Sequence, residues 1–569
     1  MRILVLLSII LSTARKISCA QQNHSLGVNI EINKSYDYIV VGAGVTGIVV
    51  ADRLSEAGKK VLLIERGGPS TAETGGNDVL PWANATQFTR FDIPGAARSM
   101  IPWKGQYWWC DDVDTPAGCL VGGGAAISGI LYWYPTDLEY SKYNGWPDGW
   151  QSILPYLFKV KARMPSTDDP SRDGKYYLNQ PYEVLSSMLN KQGYTRINAN
   201  ADRNRKDRVY AHSDYFIQDG KRNGPMNTYL KTARARPNFT ILTHTKVISV
   251  LRDGGHITGV QTNNSALGSN GAIQLAKNGR VILAAGVFGT SKILFQSGIG
   301  PNDMLSIAAT NPSVSRYMPP STQYINLPVG MNTTDNPTVS VTFTHPSIDG
   351  YNWTAVATNP RPADAEQYLY DRSGILTAPT SRVNLWRAYN GSDGRTRYSQ
   401  GGCGSGGSVP PGSSYNASAV FSCVVALYNG LTSAGRIGID SSFRSKILKT
   451  PWLNTSEDKT ALTSALTDFI STYQQVPELQ LISPNISVTL EAYVTNSVGG
   501  SNHWVGSTKI GTSASDSVVD PDTKVWHTDN LFIVDAGVYP GVTTGNPTGS
   551  LLVMSEMAAD KISALTGGP

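Results

Sequence analysis

Three glycines and one acid near the start of the chain have the spacing of a dinucleotide-binding turn. Gly42, Gly44 and Gly47 follow directly after the apolar run YDYIVV, and Glu65 ends the next apolar run. Gly42 permits a tight turn, Gly44 lets backbone N–H groups approach a pyrophosphate, and Gly47 lets a helix pack closely on a strand. An acid at the position of Glu65 accepts hydrogen bonds from ribose hydroxyls. This stretch therefore predicts dinucleotide binding.

A second run of small residues, CLVGGGAAISG, includes Gly122, Gly124 and Ser128. Small residues at this density indicate that another group comes close to the backbone. A tight turn without a ligand is the alternative interpretation of this run taken alone.

Histidine is the side chain best suited to act as a base near neutral pH, and the chain has seven. His503 lies in the short segment Asn502-His503-Trp504, close to the last block of motifs. The other six lie in no motif and are interpreted as structural: His24, His212, His244, His256, His345 and His527.

The elements around these residues predict how they are positioned. Residues 36–41 and 61–64 have the composition of buried strands, and residues 48–57 between them have helical spacing. The runs at 281–286 and 531–537 are further buried strands that end in glycine, followed by helices from 290 and 551. We expect the start, middle and end of the chain to build one cofactor domain.

The middle of the chain has a different pattern. Alternating runs at 338–344 and 418–425 predict strands of an antiparallel sheet, and residues 460–473 predict a helix. We therefore predict an α/β (α+β) fold with two interleaved domains. The Rossmann-like cofactor domain takes residues 35–150, 226–325 and 520–567, and a substrate domain on the antiparallel sheet takes residues 151–225 and 326–519.

Length and composition limit the class of protein. A chain of 569 residues is too long to form one ordinary hydrophobic core, so we expect more than one domain. Only 16% of its residues are charged. The formal net charge of +5 is small for this length, and the sequence contains no block of basic residues. Nucleic-acid binding therefore has no support.

The first twenty residues predict secretion. Arg2 precedes the apolar run 3–11, and Ser18-Cys19-Ala20 offers small residues before a cleavage point, as in a signal peptide over 1–20. The alternative, a membrane anchor, needs a longer apolar run than this one, and we predict no membrane partner. We expect an extracellular protein.

Secretion decides how the four remaining cysteines are interpreted. Cys110, Cys119, Cys403 and Cys423 allow three pairings, and the short separations favour Cys110–Cys119 and Cys403–Cys423. Residues 401–412 are then interpreted as a surface loop held by the second disulfide, and no metal-ligand spacing is present. Asn-x-Ser/Thr acceptors, typical of a glycosylated exported protein, occur at Asn23, Asn33, Asn84, Asn238, Asn263, Asn332, Asn352, Asn390, Asn416, Asn454 and Asn485.

Four blocks, taken in order, resemble the glucose–methanol–choline (GMC) oxidoreductases, a family of flavoproteins. They are GAGVTG with Glu65, GGGAAISG, VILAAGVFGTSKILFQSGIG, and NHW…VDAGVYP…TGNPTGS. Within the family, CLVGGGAAISGILYWYP and SNHWVGSTKIG look most like the flavodehydrogenase domain of cellobiose dehydrogenase. We expect this chain to lack a counterpart of that enzyme's haem domain. Where relatives usually have Asn beside the isoalloxazine, this chain has Ser128.

The resemblance implies roles for particular residues. His503 matches the family's catalytic base and Asn546 its partner, which orients the substrate hydroxyl; Ser501 and Asn502 are weaker candidates for sugar contacts. The implied FAD-binding residues are Gly42, Gly44, Gly47, Glu65, Gly122, Gly124, Ser128, Val247, Asp535, Ala536 and Pro547. No histidine or cysteine is placed for a covalent flavin link, so the expected cofactor is non-covalent FAD.

The implied reaction is oxidation of the anomeric CHOH of a cellobiose-like sugar to a lactone, by hydride transfer to the flavin. Two alternatives stay open: oxidation of aryl alcohols or a secondary metabolite, and a lyase or cyclase that keeps FAD only structurally. The expected electron acceptors are quinones, organic radicals or oxygen. With no CxxCH motif or iron–sulfur spacing, FAD is expected to be the only redox centre.

Overall fold

A computed structural model describes residues 35–102 and 104–569. The predicted signal peptide over 1–20, and the acceptors Asn23 and Asn33, lie outside the described residues.

Helices are distributed along the whole described chain. Their bounds are α1 Val45–Glu56, α2 Gly124–Ile127, α3 Leu154–Arg163, α4 Gln180–Lys191, α5 Tyr229–Arg234, α6 Gly286–Gln296, α7 Asn302–Thr310, α8 Pro312–Ser315, α9 Pro362–Asp371, α10 Ser456–Ile470, α11 Leu490–Ser497 and α12 Thr548–Ala564.

Strands form two large sheets and two short hairpins. Their bounds are β1 Tyr36–Val41, β2 Val61–Ile64, β3 Thr195–Arg196, β4 Val209–His212, β5 Ile217–Gln218, β6 Lys221–Arg222, β7 Phe239–Leu242, β8 Val247–Asp253, β9 His256–Thr262, β10 Ala272–Leu283, β11 Pro337–Thr344, β12 Val383–Asn390, β13 Thr396–Ser405, β14 Val420–Leu427, β15 Arg436–Ile439, β16 Ser445–Lys449, β17 Gln480–Ser483, β18 Gly499–Gly500 and β19 Leu531–Ile533.

The first sheet joins the start, middle and end of the chain, as the sequence predicts. Its parallel strands run in the order β7-β2-β1-β10-β19, and the antiparallel strands β9 and β8 extend it from the first half of β10. All of β2 is buried, in keeping with helices covering both faces of a parallel sheet. The carboxyl ends of β1, β10 and β19 meet at one edge.

The βαβ unit at the start of the chain forms as expected, with one small difference. Helix α1 begins at Val45, directly after the glycine turn and three residues before the predicted start (48 − 45). A Cβ on Gly47 would lie 1.9 Å from the carbonyl oxygen of Gly42, so only glycine permits this packing of helix on strand.

Several other predicted boundaries differ from the structure by a few residues: α10 spans Ser456–Ile470 instead of 460–473, α12 begins at Thr548 instead of 551, and β14 spans Val420–Leu427 instead of 418–425. Helix α6 begins at Gly286 instead of 290, because its first turn contains two glycines that hide the apolar spacing. Strand β19 ends at Ile533, because Asp535 then turns the chain by accepting the N–H of Gly537 at 2.8 Å.

The second sheet is antiparallel except at one edge. Its order is β17-β11-β14-β13-β12-β4-β3, with β18 pairing to β11, and only β3 and β4 run parallel. Helices α4, α10 and α11 pack on it around a core that includes Leu185, Leu462 and Phe343. No element is predicted between 166 and 211, where the structure has α4, β3 and β4. The fold class is confirmed, and the domain boundaries stay a prediction.

The interpretation of residues 401–412 as a surface loop is wrong for its first half. Residues 401–405 belong to β13, a central strand with neighbours on both sides, and Cys403 is 1% exposed. Glycine-rich composition suggested a loop, but here it lets side chains of neighbouring strands approach: a Cβ on Gly401 would lie 2.8 Å from Leu385.

Both predicted disulfides are present. Cys110–Cys119 closes a short loop, and Cys403–Cys423 joins residues that face each other on β13 and β14. Among the residues the structure describes, no helix has both the length and the apolar character needed to cross a bilayer.

Candidate active site

A cavity of about 570 Å³ lies along the carboxyl edge of the first sheet. Each of the four sequence blocks contributes to its wall, through residues within 41–46, 123–131, 284–289, 501–504 and 546–548. The motifs, which are far apart in the chain, therefore meet around one space.

One end of the cavity is suited to a pyrophosphate. Gly42, Gly44 and the first turn of α1 line it, and among the described residues no side chain caps this helix and no acid lies in its first turn. The free N–H groups and the helix dipole therefore attract an anion. A Cβ on Gly44 or Gly124 would have no heavy atom within 4 Å, so the missing side chains leave room for a ligand.

Glu65 lies at the same end, at the end of β2. Its two carboxylate oxygens accept the N–H groups of Ala43 and Gly67, each at 2.8 Å. Burial raises the pKa of Glu65. Each oxygen keeps a second lone pair, so the predicted contact with a ribose hydroxyl fits this geometry.

A cluster of charges forms the wall beside Val247. Asp112 accepts hydrogen bonds from Arg66 at 3.0 Å, Lys246 at 3.0 Å and Lys292 at 2.6 Å. Burial opposes ionisation of Asp112, but the three cations outweigh it and hold its pKa well below the usual range. No sequence motif marks this cluster, because its members come from four separate segments.

The remaining predicted cofactor residues divide into two groups. Gly124, Ser128, Val247, Asp535, Ala536 and Pro547 line the cavity. Gly47 and Gly122 do not line it; Gly122 instead donates its N–H to Ala43 at 2.7 Å, behind the glycine turn. The side chain of Asp535 accepts hydrogen bonds from Thr290 at 2.6 Å and Gly286 at 3.0 Å, which ties α6 to the end of β19.

His503 and Asn546 lie together, as the resemblance predicted. Nε2 of His503 is 3.3 Å from Nδ2 of Asn546, and both residues line the cavity. Nδ1 of His503 is 3.0 Å from Oδ1 of Asn336, whose own Nδ2 donates to the carbonyl of Leu427 at 2.6 Å. That donor fixes the Asn336 amide, so Nδ1 of His503 carries the proton and Nε2 holds the lone pair.

The surroundings of His503 keep it neutral. Burial lowers the pKa of His503 to about 4. The buried carboxylate of Asp335 accepts the backbone N–H of His503 at 2.7 Å and that of Asn502 at 3.2 Å, which holds this segment in place. Burial also raises the pKa of Asp335 to about 6.

Sequence reasoning missed the residues that orient this pair. Asn336 and Asp335 lie just before β11, Gln400 lies within β13, and Trp133 follows the small-residue run. A polar Asp-Asn pair directly before a strand was the one available signal; Gln400 offered none.

The two weaker candidates, Ser501 and Asn502, line the cavity but use their polar atoms within the protein. Oδ1 of Asn502 accepts hydrogen bonds from Thr115 and Trp504, each at 3.1 Å, and its Nδ2 donates to the carbonyl of Pro116 at 2.7 Å. The hydroxyl of Ser501 is bonded to that of Thr338. Asn502 therefore joins the segment of His503 to the Cys110–Cys119 loop.

This arrangement can take a proton from a hydroxyl group placed in the cavity. A neutral imidazole whose lone pair is on the cavity side is a general base, and the Asn546 amide N–H, directed at that Nε2 in this structure, can also hold the substrate oxygen. The uncapped α1 helix, Glu65 and the glycine turns can hold a dinucleotide beside it.

The chain matches known proteins over most of its length. The chain matches the GMC oxidoreductase family over residues 36–338 and 432–555. It is 27% identical to "Dehydrogenase eriK" of Hericium erinaceus, over 93% of this chain and 94% of that protein.

Solved structures share the fold. A formate oxidase superposes with a TM-score of 0.75 at 18% identity, covering 94% of this chain and 98% of the other. A fungal aryl-alcohol oxidase superposes with a TM-score of 0.68 at 17% identity, covering 93% and 98%. The uncapped α1, the glycine turn and Glu65 fit the FAD that such enzymes use. The chain belongs to the GMC oxidoreductase family and is a FAD-dependent oxidoreductase.

Proposed function

We propose that this protein oxidises a CH–OH group of a small molecule to a carbonyl, with His503 as the base. The observation that carries the proposal is the tautomer of His503. Its Nδ1–H is held by Asn336, so its Nε2 lone pair is available in the cavity that also contains the dinucleotide turn.

The alcohol loses a proton and a hydride, and FAD supplies the acceptor for the hydride when it is bound. His503 takes the hydroxyl proton on Nε2 and becomes an imidazolium. Asn336 continues to accept the Nδ1–H, now from a charged ring, which strengthens that bond. Asn546 donates from Nδ2 to the reacting oxygen and holds the hydroxyl in reach of His503.

We further propose that FAD is held without a covalent bond. Among the described residues that line the cavity, His503 is the one histidine, and Cys110 is already in a disulfide. Neither is free to form a link to a flavin. Denaturation should therefore release all the flavin into the supernatant, and flavin that stays with the precipitated protein would refute this point.

The first candidate substrate is the anomeric CHOH of a cellobiose-like sugar, which would yield a lactone. Its support is the resemblance of the blocks around Ser128 and His503 to a sugar flavodehydrogenase. Sugars need several free polar side chains for their hydroxyl groups.

The second candidate is an aryl alcohol or a hydroxylated secondary metabolite, and the walls of the cavity favour it. Ile101, Trp109, Phe288 and Trp504 line the cavity, whereas the polar atoms of Asn502 are bonded within the protein. FAD shares these walls, and where the substrate meets them they suit an apolar substrate body better than a sugar. The similarity to eriK and the fold shared with an aryl-alcohol oxidase agree with this candidate.

A substrate panel separates the two candidates. Cellobiose, lactose, glucose and a set of benzylic alcohols are mixed anaerobically with the enzyme, and bleaching of the flavin absorbance is recorded. Bleaching by benzylic alcohols alone would reject the sugar. If no alcohol bleaches the flavin, a lyase or cyclase that keeps FAD structurally becomes the better reading.

We propose quinones, organic radicals or oxygen as electron acceptors. Support comes from the absence of any haem or iron–sulfur motif in the sequence, which leaves FAD as the only redox centre expected. Re-oxidation of the reduced enzyme by benzoquinone and by air-saturated buffer, compared in one stopped-flow series, separates a dehydrogenase from an oxidase.

We also propose that the protein is secreted and glycosylated. Two disulfides among the described residues and the many Asn-x-Ser/Thr acceptors support an oxidising compartment. Expression in a eukaryotic host should place the protein in the medium, with a mass that falls on deglycosylation.

Replacement of His503 tests the proposed reaction itself. His503→Ala should slow reduction of the flavin by alcohol by roughly 10²–10⁴-fold, because the base is lost. Asn546→Ala should slow it less, since the base remains. Both variants should keep their yellow colour and their rate of re-oxidation.

His212→Ala is the matched control. His212 likewise has a pKa lowered to about 4 by burial, but it does not line the cavity. The flavin of His212→Ala should therefore be reduced by alcohol at the parent rate. A parent-like rate in His503→Ala would show that His503 is not the base.

A further inference from the structure

The side-chain amide of Asn546 is held by two donors. Nε1 of Trp133 and Nε2 of Gln400 each donate to its Oδ1 at 2.9 Å. An indole nitrogen can only donate, so the atom of Asn546 that faces Trp133 must be the oxygen. The amide nitrogen is therefore turned toward Nε2 of His503, 3.3 Å away.

We propose that Trp133 is a positioning residue of the reaction, whose indole N–H fixes the amide of Asn546 in its productive orientation. The inference rests on the proposed function, in which Asn546 donates to the reacting oxygen. If the amide turned over, its oxygen would face the lone pair of His503 and the substrate oxygen. Three acceptors would then meet, and no donor would hold the hydroxyl.

Gln400 cannot set this orientation alone. An amide side chain offers a donor at one end and an acceptor at the other, and Oε1 of Gln400 has no hydrogen-bond partner in the described part of the chain. Gln400 could therefore turn over together with Asn546 and still bond to it. Trp133 cannot reverse its polarity, so the direction is set there.

The surrounding packing holds the Trp133 indole in place. The side chain is 3% exposed and meets Trp386 edge to face, with ring centroids 4.8 Å apart. The next loop passes directly over it, since a Cβ on Gly545 would lie 2.8 Å from the ring. The N–H of Trp133 therefore has one fixed direction.

Trp386 offers a matched control. It is fully buried beside Trp133, and its Nε1 has no hydrogen-bond partner among the described residues. Replacing either indole with phenyl removes the same atoms from the same cluster. Only Trp133→Phe also removes the donor that faces Asn546.

The first measurement is the rate of flavin reduction by alcohol. Trp133→Phe should lower the limiting rate by about 10- to 100-fold, as expected for a misplaced reacting group, with little change in the substrate concentration at half-saturation. Trp386→Phe, which keeps an aromatic ring against Trp133, should stay within about threefold of the parent enzyme, and both variants should retain FAD and similar melting temperatures. Equal losses in the two variants would overturn the inference.

The second measurement is a double-mutant cycle. If Trp133 acts through Asn546, Trp133→Phe should cause no further loss in an Asn546→Ala background. A loss there as large as in the parent background would overturn the inference. It would leave the proposed function intact, because that function is decided by His503→Ala alone.

The third measurement is the pH profile of flavin reduction. With Trp133→Phe the amide is free to turn its oxygen toward Nε2 of His503, which favours the imidazolium and raises its pKa. The acidic limb should therefore move to higher pH in Trp133→Phe and not in Trp386→Phe. The titratable groups packed against His503, Asp335 and Tyr428, are the same in both variants. An unshifted limb in Trp133→Phe would count against the inference.

Discussion

At the scale of single residues, the site depends on neutral groups of fixed polarity. His503 is surrounded by the amides of Asn336 and Asn546, and the one carboxylate bonded to its segment, Asp335, accepts backbone N–H groups instead of the ring. No carboxylate bonds to the imidazole within the described residues to raise its pKa. The ring is therefore an unprotonated base at the start of the reaction.

The pH dependence of the reductive half-reaction should show this. Burial lowers the pKa of His503 to about 4, so the base is free at pH 5 and above, and the rate should fall only as the pH approaches 4. An exposed histidine would lose activity already near its ordinary pKa of about 6.5. Stopped-flow measurement of flavin reduction between pH 4 and 8 locates this acidic limb of the pH profile. A limb near 6.5 would contradict the neutral, buried base.

At the scale of elements, the catalytic segment is fixed by two supports. Asp335, just before β11, holds the backbone of Asn502 and His503 from one side. The Cys110–Cys119 loop holds it from the other side through Thr115, Pro116 and Asn502. Since Asn502 has a φ of +60°, its backbone is also in a left-handed conformation that asparagine tolerates better than most residues. This geometry suits a clamp, meaning a residue that ties the segment of His503 to the Cys110–Cys119 loop, better than it suits a sugar contact.

Paired substitutions distinguish these two roles of Asn502. As a clamp, Asn502→Gly and Thr115→Val should both loosen the loop, and each lost hydrogen bond should cost about 1 kcal/mol. Hydrogen exchange of the amides of 111–118 should then become faster in both variants, while the substrate concentration at half-saturation changes little. Glycine keeps the left-handed backbone, which makes it the appropriate replacement. A rise in that concentration in Asn502→Gly alone would instead identify Asn502 as a substrate contact.

At the scale of the whole molecule, the cavity is where distant parts of the chain meet. Its wall combines β1, α1, α6, the segment of His503 and the start of α12. A ligand that fills it therefore contacts segments from the beginning, middle and end of the chain. FAD binding and global stability should be closely linked, because the unfolded chain has no such site.

Thermal unfolding with added cofactor tests this linkage. At a free FAD concentration one hundred times Kd, the free energy of unfolding should rise by about 2.7 kcal/mol over the apoprotein, and the melting temperature should rise accordingly. ADP reaches only the end near α1 and Glu65, so it should stabilise the protein less at the same concentration. A melting temperature that does not respond to FAD would contradict a cofactor site spanning these segments.

Features that depend on local chemistry could be predicted from the amino-acid sequence alone. The glycine turn, β1, α1 and β2 follow from apolar spacing and from the few residues that permit a tight turn. The two disulfides follow from short separations in the chain. The resemblance to the GMC family predicted that His503 and Asn546 lie together. In the structure, Nε2 of His503 is 3.3 Å from Nδ2 of Asn546.

The polarity of the site and the place of the glycine-rich stretch 401–412 depend instead on contacts between distant segments. The proton of His503 and the direction of the Asn546 amide depend on Asn336, Gln400 and Trp133, which come from three distant segments. Whether residues 401–405 form a loop or a central strand depends on pairing with β12 and β14 on either side. Hydrogen-bond partners and strand neighbours of this kind are set by long-range packing, which no local pattern of residues encodes.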